Sequence, residues 1–265
     1  MSNDKNRKCT SGHAKPTPPV VPVHLSIFKA SFTAFVGGAA DKYQFLNRPL
    51  GIEPPDDIGA GPTYIMSECL RKFKKNISNN NLNHAEFQYY GYEEAYSSKS
   101  VGKKYRNTNL KNLFADIKDR LEKEPKTQIN LVGHSLGGWN VAGLSEELYK
   151  NKVSKIHTLI TLDPVGIRLS KTGGYYDRAQ IYFLEPDPVS DIWVNIYSQP
   201  KDNERDDYIA ILGGRWNDDD TSKANFKFIS SFHHGQAEDM FNERRINNKY
   251  SAADILLKEL MKVVK

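Results

Sequence analysis

The chain has 265 residues and a net charge of +5, and 38% of its residues are hydrophobic. This length suits one large α/β domain, and the lack of any run of 18 apolar residues excludes a transmembrane helix. Its two cysteines argue against a disulfide framework, and no lysine/arginine stripe interleaved with aromatic residues points to nucleic acid, so we expect no nucleic-acid partner.

The amino-terminal segment differs in composition from the rest. Residues 1–22 are polar and then proline-rich, ending in KPTPPVVP, which predicts a flexible or extended leader. A docking segment and a tail without a role both fit this composition. The segment also lacks the apolar core of a signal peptide, so we expect synthesis in the cytosol and, for action outside the cell, export by another route. Residues 23–265 are expected to form the folded domain.

From residue 24 onward, segments typical of strands alternate with segments typical of helices. Hydrophobic patterning predicts strands at 24–38, 84–92, 127–133, 153–162, 179–184 and 192–198, and helices at 61–75, 110–121, 137–150 and 251–264. The charged stretch 201–208 reads as a polar loop. Strands that alternate with helices predict an α/β fold with a mainly parallel central sheet and helices on both faces.

The stretch G-H-S-L-G-G at 133–138 places Ser135 between a predicted strand and a predicted helix. In that context G-x-S-x-G is typical of a nucleophile elbow, a sharp turn that presents the serine at the carboxyl end of the sheet. Gly133 and Gly137 would let neighbouring backbones pass without a clash. We therefore predict that Ser135 is a catalytic nucleophile.

A serine hydroxyl needs a base, and that base needs an acid to orient it. Asp163 directly follows the next buried strand, IHTLITL, and is the predicted acid, with Asp187 and Asp191 one strand later as the alternatives. The base must come later in the chain, where only His233 and His234 remain. We predict His234, because the glycine after it allows close backbone approach, and keep His233 as the alternative base.

An oxyanion forms when a serine attacks a carbonyl, and backbone N–H groups must stabilise it. One donor is expected to be the amide of Leu136, directly after the nucleophile. The second should come from the loop after an early strand, where the run Gly37-Gly38-Ala39-Ala40 offers Gly38 or Ala39. This chemistry requires neither a metal nor a cofactor, and we expect none.

Several motifs together resemble the lipase branch of the α/β-hydrolase superfamily. G-H-S-L-G-G is similar to a lipase elbow, and L-D-P-V at 162–165 is similar to the acid-bearing segment of pancreatic-type lipases. F-V-G-G-A-A-D-K at 35–42, and L-G-G-R-W at 212–216 followed by H-H-G-Q-A, resemble bacterial lipase effectors delivered by type VI secretion.

The resemblance implies an α/β-hydrolase fold over residues 24–264 and a serine lipase or phospholipase that attacks membrane phospholipids. It further implies an antibacterial protein that acts in the periplasm of a target bacterium, with a secretion-apparatus carrier and a cognate immunity protein as partners. Two alternatives stay open. The same residues would serve an intracellular esterase, thioesterase or amidase of small substrates, and a catalytically silent hydrolase fold could be a binding module.

Overall fold

The computed structural model of the chain describes residues 28–42, 62–96, 112–166, 182, 184–216 and 223–263. Six strands form a single sheet in which every neighbouring pair is parallel, in the order β2-β1-β3-β4-β5-β6. The strands are β1 (Ala30–Val36), β2 (Ala85–Tyr90), β3 (Thr127–His134), β4 (Ile156–Leu162), β5 (Ser190–Ser198) and β6 (Phe226–Ser230). Because all six run the same way, their carboxyl ends meet at one edge, where sites form in such sheets.

Helices cover both faces of this sheet. They are α1 (Ile65–Asn76), α2 (Leu113–Lys123), α3 (Leu136–Lys150), α4 (Arg205–Gly213), α5 (Ala237–Asn242) and α6 (Ala252–Leu260). One core cluster packs α1, α5 and α6 against side chains such as Phe35 and Val132. The other packs α2 and α3 against alternate residues of the same strands, such as Phe32 and Leu131. Strand side chains point alternately to the two faces, so the central strands contribute buried side chains to both clusters.

The predicted fold class, a mainly parallel sheet with helices on both faces, is confirmed. The expected elements between residues 127 and 162 match β3, α3 and β4 closely. The predicted leader over 1–22 lies outside the described residues, and so does most of the predicted strand at 179–184. Among the described residues, no helix combines the length and the apolar character needed to cross a membrane.

One prediction about the local structure was wrong. The charged stretch 201–208, expected to be a loop, contains the first half of α4. Asp207 accepts a hydrogen bond from the backbone N–H of Glu204, 3.0 Å away, at the point where the helix begins. Acidic residues in a first turn also favour the helix dipole. The charges that read as a loop therefore start a helix.

A histidine links three elements at the amino edge of the sheet, opposite the carboxyl ends of the strands. His157 of β4 lies with Nδ1 3.0 Å from Asp191 of β5 and Nε2 2.9 Å from Glu259 of α6. Burial lowers the pKa of His157, but the hydrogen bonds with these two carboxylates outweigh burial, and the pKa is raised. The protonated ring, which can donate from both nitrogens, therefore stabilises the folded state.

The raised pKa of His157 predicts a pH-dependent contribution to stability. The contribution is fully present below the unfolded pKa of about 6.5 and is lost as pH rises through the folded pKa. We expect His157→Gln to lower the free energy of unfolding more at about pH 5.5 than at about pH 9, because the wild-type ring loses its proton as the pH rises. Urea unfolding at the two pH values measures the difference.

Lys155→Gln is the matched control. Lys155 also pairs with Asp191, at 2.7 Å, but a lysine keeps its charge over this pH range. Its effect on unfolding should therefore be similar at both pH values. An equal effect of His157→Gln at both pH values would contradict the assignment.

Candidate active site

The turn between β3 and α3 consists of one residue, Ser135. Its backbone has φ 58° and ψ −130°, a conformation that residues other than glycine rarely adopt and that costs about 1–3 kcal/mol. Hydrogen bonds hold this turn: the Ser135 N–H donates to the carbonyl of Leu162 at 3.1 Å, and its carbonyl accepts from Val165 at 3.0 Å. Ser135 therefore sits in a strained turn at the carboxyl edge of the sheet.

Glycines make this turn possible because backbone passes directly against backbone. A Cβ at Gly133 would lie 2.5 Å from the carbonyl oxygen of Gly137, and a Cβ at Gly137 would lie 2.3 Å from that of Gly37. Both distances are far inside van der Waals contact. The role expected for Gly133 and Gly137 from the sequence matches this geometry, and Gly137 also brings the loop after β1 against α3.

Asp163 follows β4 directly and its side chain is fully buried. Its Oδ1 accepts from the backbone N–H of Ser198 at 2.9 Å, while Oδ2 accepts from His234 Nδ1 at 2.6 Å and from Arg215 Nε at 2.9 Å. Burial would raise the pKa of Asp163, but its partners, with His234 first and Arg215 next, outweigh burial and lower the pKa. The buried carboxyl is therefore held in its ionised form.

His234 connects this carboxylate to the serine. Its Nδ1 donates to Asp163, and its Nε2 lies 3.0 Å from the Ser135 Oγ, which donates to it when the ring is neutral. His233 points elsewhere: its Nδ1 lies 2.6 Å from Asp207 of α4. The structure therefore brings Ser135, His234 and Asp163 into one hydrogen-bonded chain and leaves the alternative base, His233, outside it.

The two alternative acids lie away from this chain. Asp187 is exposed and pairs with Lys223 at 2.7 Å. Asp191 is the second residue of β5, at the amino edge of the sheet, where it pairs with His157 and Lys155. The structure brings neither of them to His234, because Asp187 precedes β5 and Asp191 lies near its amino end, at the edge of the sheet opposite the base.

The loop after β1 lies against the serine. A Cβ at Gly38 would lie 2.6 Å from the Ser135 Cβ and 3.0 Å from its Oγ, and Ala39 packs beside Leu136. Leu136 is the first residue of α3, so its N–H has no partner within the helix. Of the three residues expected to bind an oxyanion, Gly38 lies against the hydroxyl and Leu136 directly follows the serine, while Ala39 packs against the cluster that contains Leu136.

Asp41 fixes this loop in place. Its buried carboxylate accepts from the backbone N–H groups of Ile65 at 2.5 Å and Met66 at 3.2 Å, at the start of α1, and from the Tyr89 hydroxyl at 3.0 Å. The Asp41 N–H donates to the carbonyl of Gly38 at 3.3 Å. A single side chain therefore ties the loop to α1 and β2.

Three residues of the site were not predicted from the sequence. His134 lies with its ring 4.6 Å from the His234 ring and donates from Nε2 to the His234 carbonyl at 2.7 Å. Arg215 donates to both Asp163 and Asp207, and Asp207 accepts from the backbone N–H of His234. His134 is the variable position of G-x-S-x-G, and Arg215 lies in the L-G-G-R-W motif, but neither pattern states a contact with the base.

His134 is a neutral donor in this arrangement. Burial, followed by the neighbouring His234, lowers the pKa of His134 to about 3. A neutral ring that donates from Nε2 fixes the backbone of His234 without adding a charge beside it.

The described residues contain no cluster of three or more His, Cys, Asp or Glu side chains that could hold a metal ion.

The strain at Ser135 predicts an effect on stability. Ser135→Gly should relieve it, whereas Ser135→Ala keeps the Cβ that causes it. Glycine also raises the conformational entropy of the unfolded chain, which offsets about 0.4–1 kcal/mol of this gain. We therefore expect the glycine variant to be more stable than the alanine variant by about 1 kcal/mol. Urea unfolding of the two variants measures this, and a glycine variant no more stable than the alanine variant would show that the turn is unstrained.

Comparison with solved structures gives distant similarities. ClbQ from the colibactin NRPS/PKS pathway is 11% identical, with a TM-score of 0.42 over 87% of this chain and 99% of that chain. The RedJ thioesterase of the prodiginine pathway in Streptomyces coelicolor is 12% identical, with a TM-score of 0.38 over 94% and 98%. YbtT, a type II thioesterase from the yersiniabactin pathway, is 11% identical, with a TM-score of 0.35 over 81% and 90%. At these values the similarity carries no argument about substrate.

No curated protein matches the sequence with significant similarity. A family model, however, matches most of the chain. Residues 59–254 match the PGAP1-like alpha/beta domain, a stretch that spans about three quarters of the chain and includes Ser135, Asp163 and His234. With its parallel six-stranded sheet and its helices on both faces, the chain belongs to the PGAP1-like alpha/beta domain family, within the α/β-hydrolase superfamily.

Proposed function

We propose that the protein is a serine hydrolase of carboxylic esters, a lipase or phospholipase that acts through Ser135, His234 and Asp163. The observation that carries the proposal is the continuous hydrogen-bonded chain from the Ser135 hydroxyl through both nitrogens of His234 to the buried carboxylate of Asp163. Serine is a weak nucleophile without such a base, and an ionised acid keeps the imidazole in the tautomer that can accept the serine proton.

The first half of the reaction forms an acyl-enzyme. Ser135 Oγ attacks the ester carbonyl as its proton passes to His234 Nε2, and the resulting oxyanion lies near the amides of Leu136 and of Gly38 or Ala39. His234 then gives the proton to the leaving alcohol as the carbon–oxygen bond breaks. Asp163 stays ionised throughout and stabilises the imidazolium by charge and orientation.

The second half restores the enzyme. A water molecule attacks the acyl-enzyme carbonyl as His234 takes its proton, and the same amides stabilise the second oxyanion. The proton returns to Ser135 Oγ as the acid leaves. The residues that hold His234 matter here because the ring must accept and return a proton twice without turning away from Ser135.

An apolar surface beside the base supports a lipid as the substrate. Asp207 lies on the side of α4 that faces the core, where its carboxylate contacts His233 Nδ1 and accepts from the backbone N–H of His234. Its outer side exposes Tyr208, Ile209 and Ile211 by 57%, 50% and 44%. We call these three side chains the α4 apolar face. This surface suits acyl chains or a bilayer interface better than a small polar ester.

We further propose, on the motif resemblance, that the lipid is membrane phospholipid and that the protein is an antibacterial effector acting in the periplasm of a target bacterium. A secretion-apparatus carrier and a cognate immunity protein would then be its partners. The test directs wild type and Ser135→Ala to the periplasm and, separately, to the cytoplasm of a susceptible bacterium. Periplasmic toxicity that requires Ser135, with phospholipid breakdown measured by lipidomics, is expected. Harmlessness in both compartments, with good turnover of soluble esters, would instead indicate an intracellular esterase.

The catalytic assignment predicts how substitutions of Ser135, His234 and Asp163 change activity. Ser135→Ala should abolish hydrolysis of a short p-nitrophenyl ester, and His234→Ala and Asp163→Asn should each cost several powers of ten, because triad members act as a unit. His233→Ala, whose side chain faces Asp207, is the matched control and should cost far less. A severe loss in His233→Ala with mild loss in His234→Ala would reverse the assignment of the base.

The α4 apolar face predicts a split between substrates. We expect Tyr208→Ser with Ile211→Ser to lower hydrolysis of phosphatidylethanolamine/phosphatidylglycerol vesicles at least about tenfold, because burying such side chains contributes about 1.5–3 kcal/mol each when complete. The rate on a soluble short-chain ester should be unchanged. Tyr149→Ser is the control, since Tyr149 is 53% exposed near the carboxyl end of α3. Equal losses on both substrates would mean that the face supports the fold rather than binding lipid.

A further inference from the structure

Two donors share one oxygen of the buried acid. Asp163 Oδ2 accepts from His234 Nδ1 at 2.6 Å and from Arg215 Nε at 2.9 Å. The Arg215 side chain is only 12% exposed and Asp163 is completely buried. The two nitrogens therefore lie within the roughly 6 Å over which charges act strongly on one another's protonation, with little water between them to screen the interaction.

The other end of Arg215 meets a second buried carboxylate. Its Nη2 donates to Asp207 Oδ1 at 2.7 Å. The same Oδ1 accepts from the backbone N–H of His234 at 2.9 Å, and Asp207 Oδ2 lies 2.6 Å from His233 Nδ1. Arg215 thus bridges two carboxylates, and each of them holds one of the two adjacent histidines.

The backbone places Arg215 there. Arg215 forms an antiparallel bridge with Val165. On either side of that bridge, the Gly166 N–H donates to the carbonyl of Gly214 at 2.9 Å, and the Trp216 N–H donates to that of Pro164 at 2.8 Å. The segment that carries the acid and the segment that carries the arginine are therefore paired directly. Backbone pairing therefore fixes the position of Arg215 beside Asp163.

We propose that Arg215 is a positioning residue whose charge sets the pH at which the base works, and that the negative charge of Asp207 opposes its effect. The inference rests on the proposed function, since it concerns the same base. Arg215 orients Asp163 through a fixed hydrogen bond, and its charge opposes the imidazolium that His234 must form. Asp207 contributes a negative charge that acts in the opposite direction and holds the backbone of His234 in place.

The charged and titratable groups around His234 come from β3 and α4 and from the residues that follow β4 and α4. Asp163 follows β4, His134 ends β3, Asp207 and Asp206 belong to α4, and Arg215 follows α4. Within its own segment, His233 is the neighbour, with Glu204 3.4 Å from its Nε2. Asp206 accepts from the Gly235 N–H at 2.6 Å. Because burial lowers the pKa of His134 to about 3, that ring stays neutral, and the balance closest to the base is set by Asp163, Arg215 and Asp207.

The experiment measures the acid limb of the pH–rate profile, where activity falls as the base becomes protonated. The readouts are kcat/KM for a short p-nitrophenyl ester and the rate of Ser135 modification by a fluorophosphonate. Arg215→Gln keeps a hydrogen-bond donor for Asp163 but removes the charge, and should move the limb to higher pH by about one unit. Arg215→Lys keeps the charge and should leave the limb in place, with a lower plateau because the planar fork is lost.

Asp207→Asn gives the opposite sign and a second, independent variant. Loss of its negative charge should move the limb to lower pH. A limb at the same pH in wild type, Arg215→Gln and Asp207→Asn would overturn the inference, because a purely structural role lowers the plateau without moving the limb. If Arg215→Gln does not fold, Asp207→Asn alone decides: a shift to lower pH supports the charge balance, and no shift overturns it. Failure of the proposed function is distinguishable, since wild type itself would then show neither hydrolysis nor modification.

Discussion

The backbone of Ser135 is held by residues on both sides of Asp163. Its N–H donates to Leu162 and its carbonyl accepts from Val165, at 3.1 and 3.0 Å, so two adjacent parallel strands, β3 and β4, are joined at the point where the nucleophile and the acid emerge. The strained φ of 58° at Ser135 persists because these bonds and the following helix determine it. One local constraint therefore sets the separation between the two residues that the base must bridge.

Close backbone packing extends this constraint to the rest of the site. Gly137 lets α3 approach the carbonyl of Gly37, which brings the loop after β1 over the serine, and Asp41 ties that loop to α1. The base arrives from the other side on the segment after β6. Three contacts hold it: the His134 ring, the Asp207 carboxylate and Asp163 itself. Hydrogen bonds or close backbone packing thus hold each part of the site, as catalytic geometry requires.

The sequence was informative where function depends on local pattern. Ser135 lies in a motif whose glycines are needed for the turn, and Asp163 directly follows a buried strand. His234 could be chosen only by position in the chain and by the glycine after it. Asp207 and Arg215 could not be predicted, because their roles depend on pairing between residues 164–166 and 214–216, which no local pattern reveals. The helix that carries Asp207 was missed for a related reason: its charged residues lie where the helix begins, and its outer side is apolar and exposed.

The most direct test of the account is to trap the acyl-enzyme. Wild type is mixed with an ester that acylates quickly and deacylates slowly, quenched in acid, digested and analysed by peptide mass spectrometry. The account predicts one acyl group, on the peptide that contains Ser135, appearing as fast as the alcohol is released and missing when His234→Ala is treated in the same way. Steady hydrolysis with no acyl group on Ser135, or with the acyl group on another residue, would contradict it.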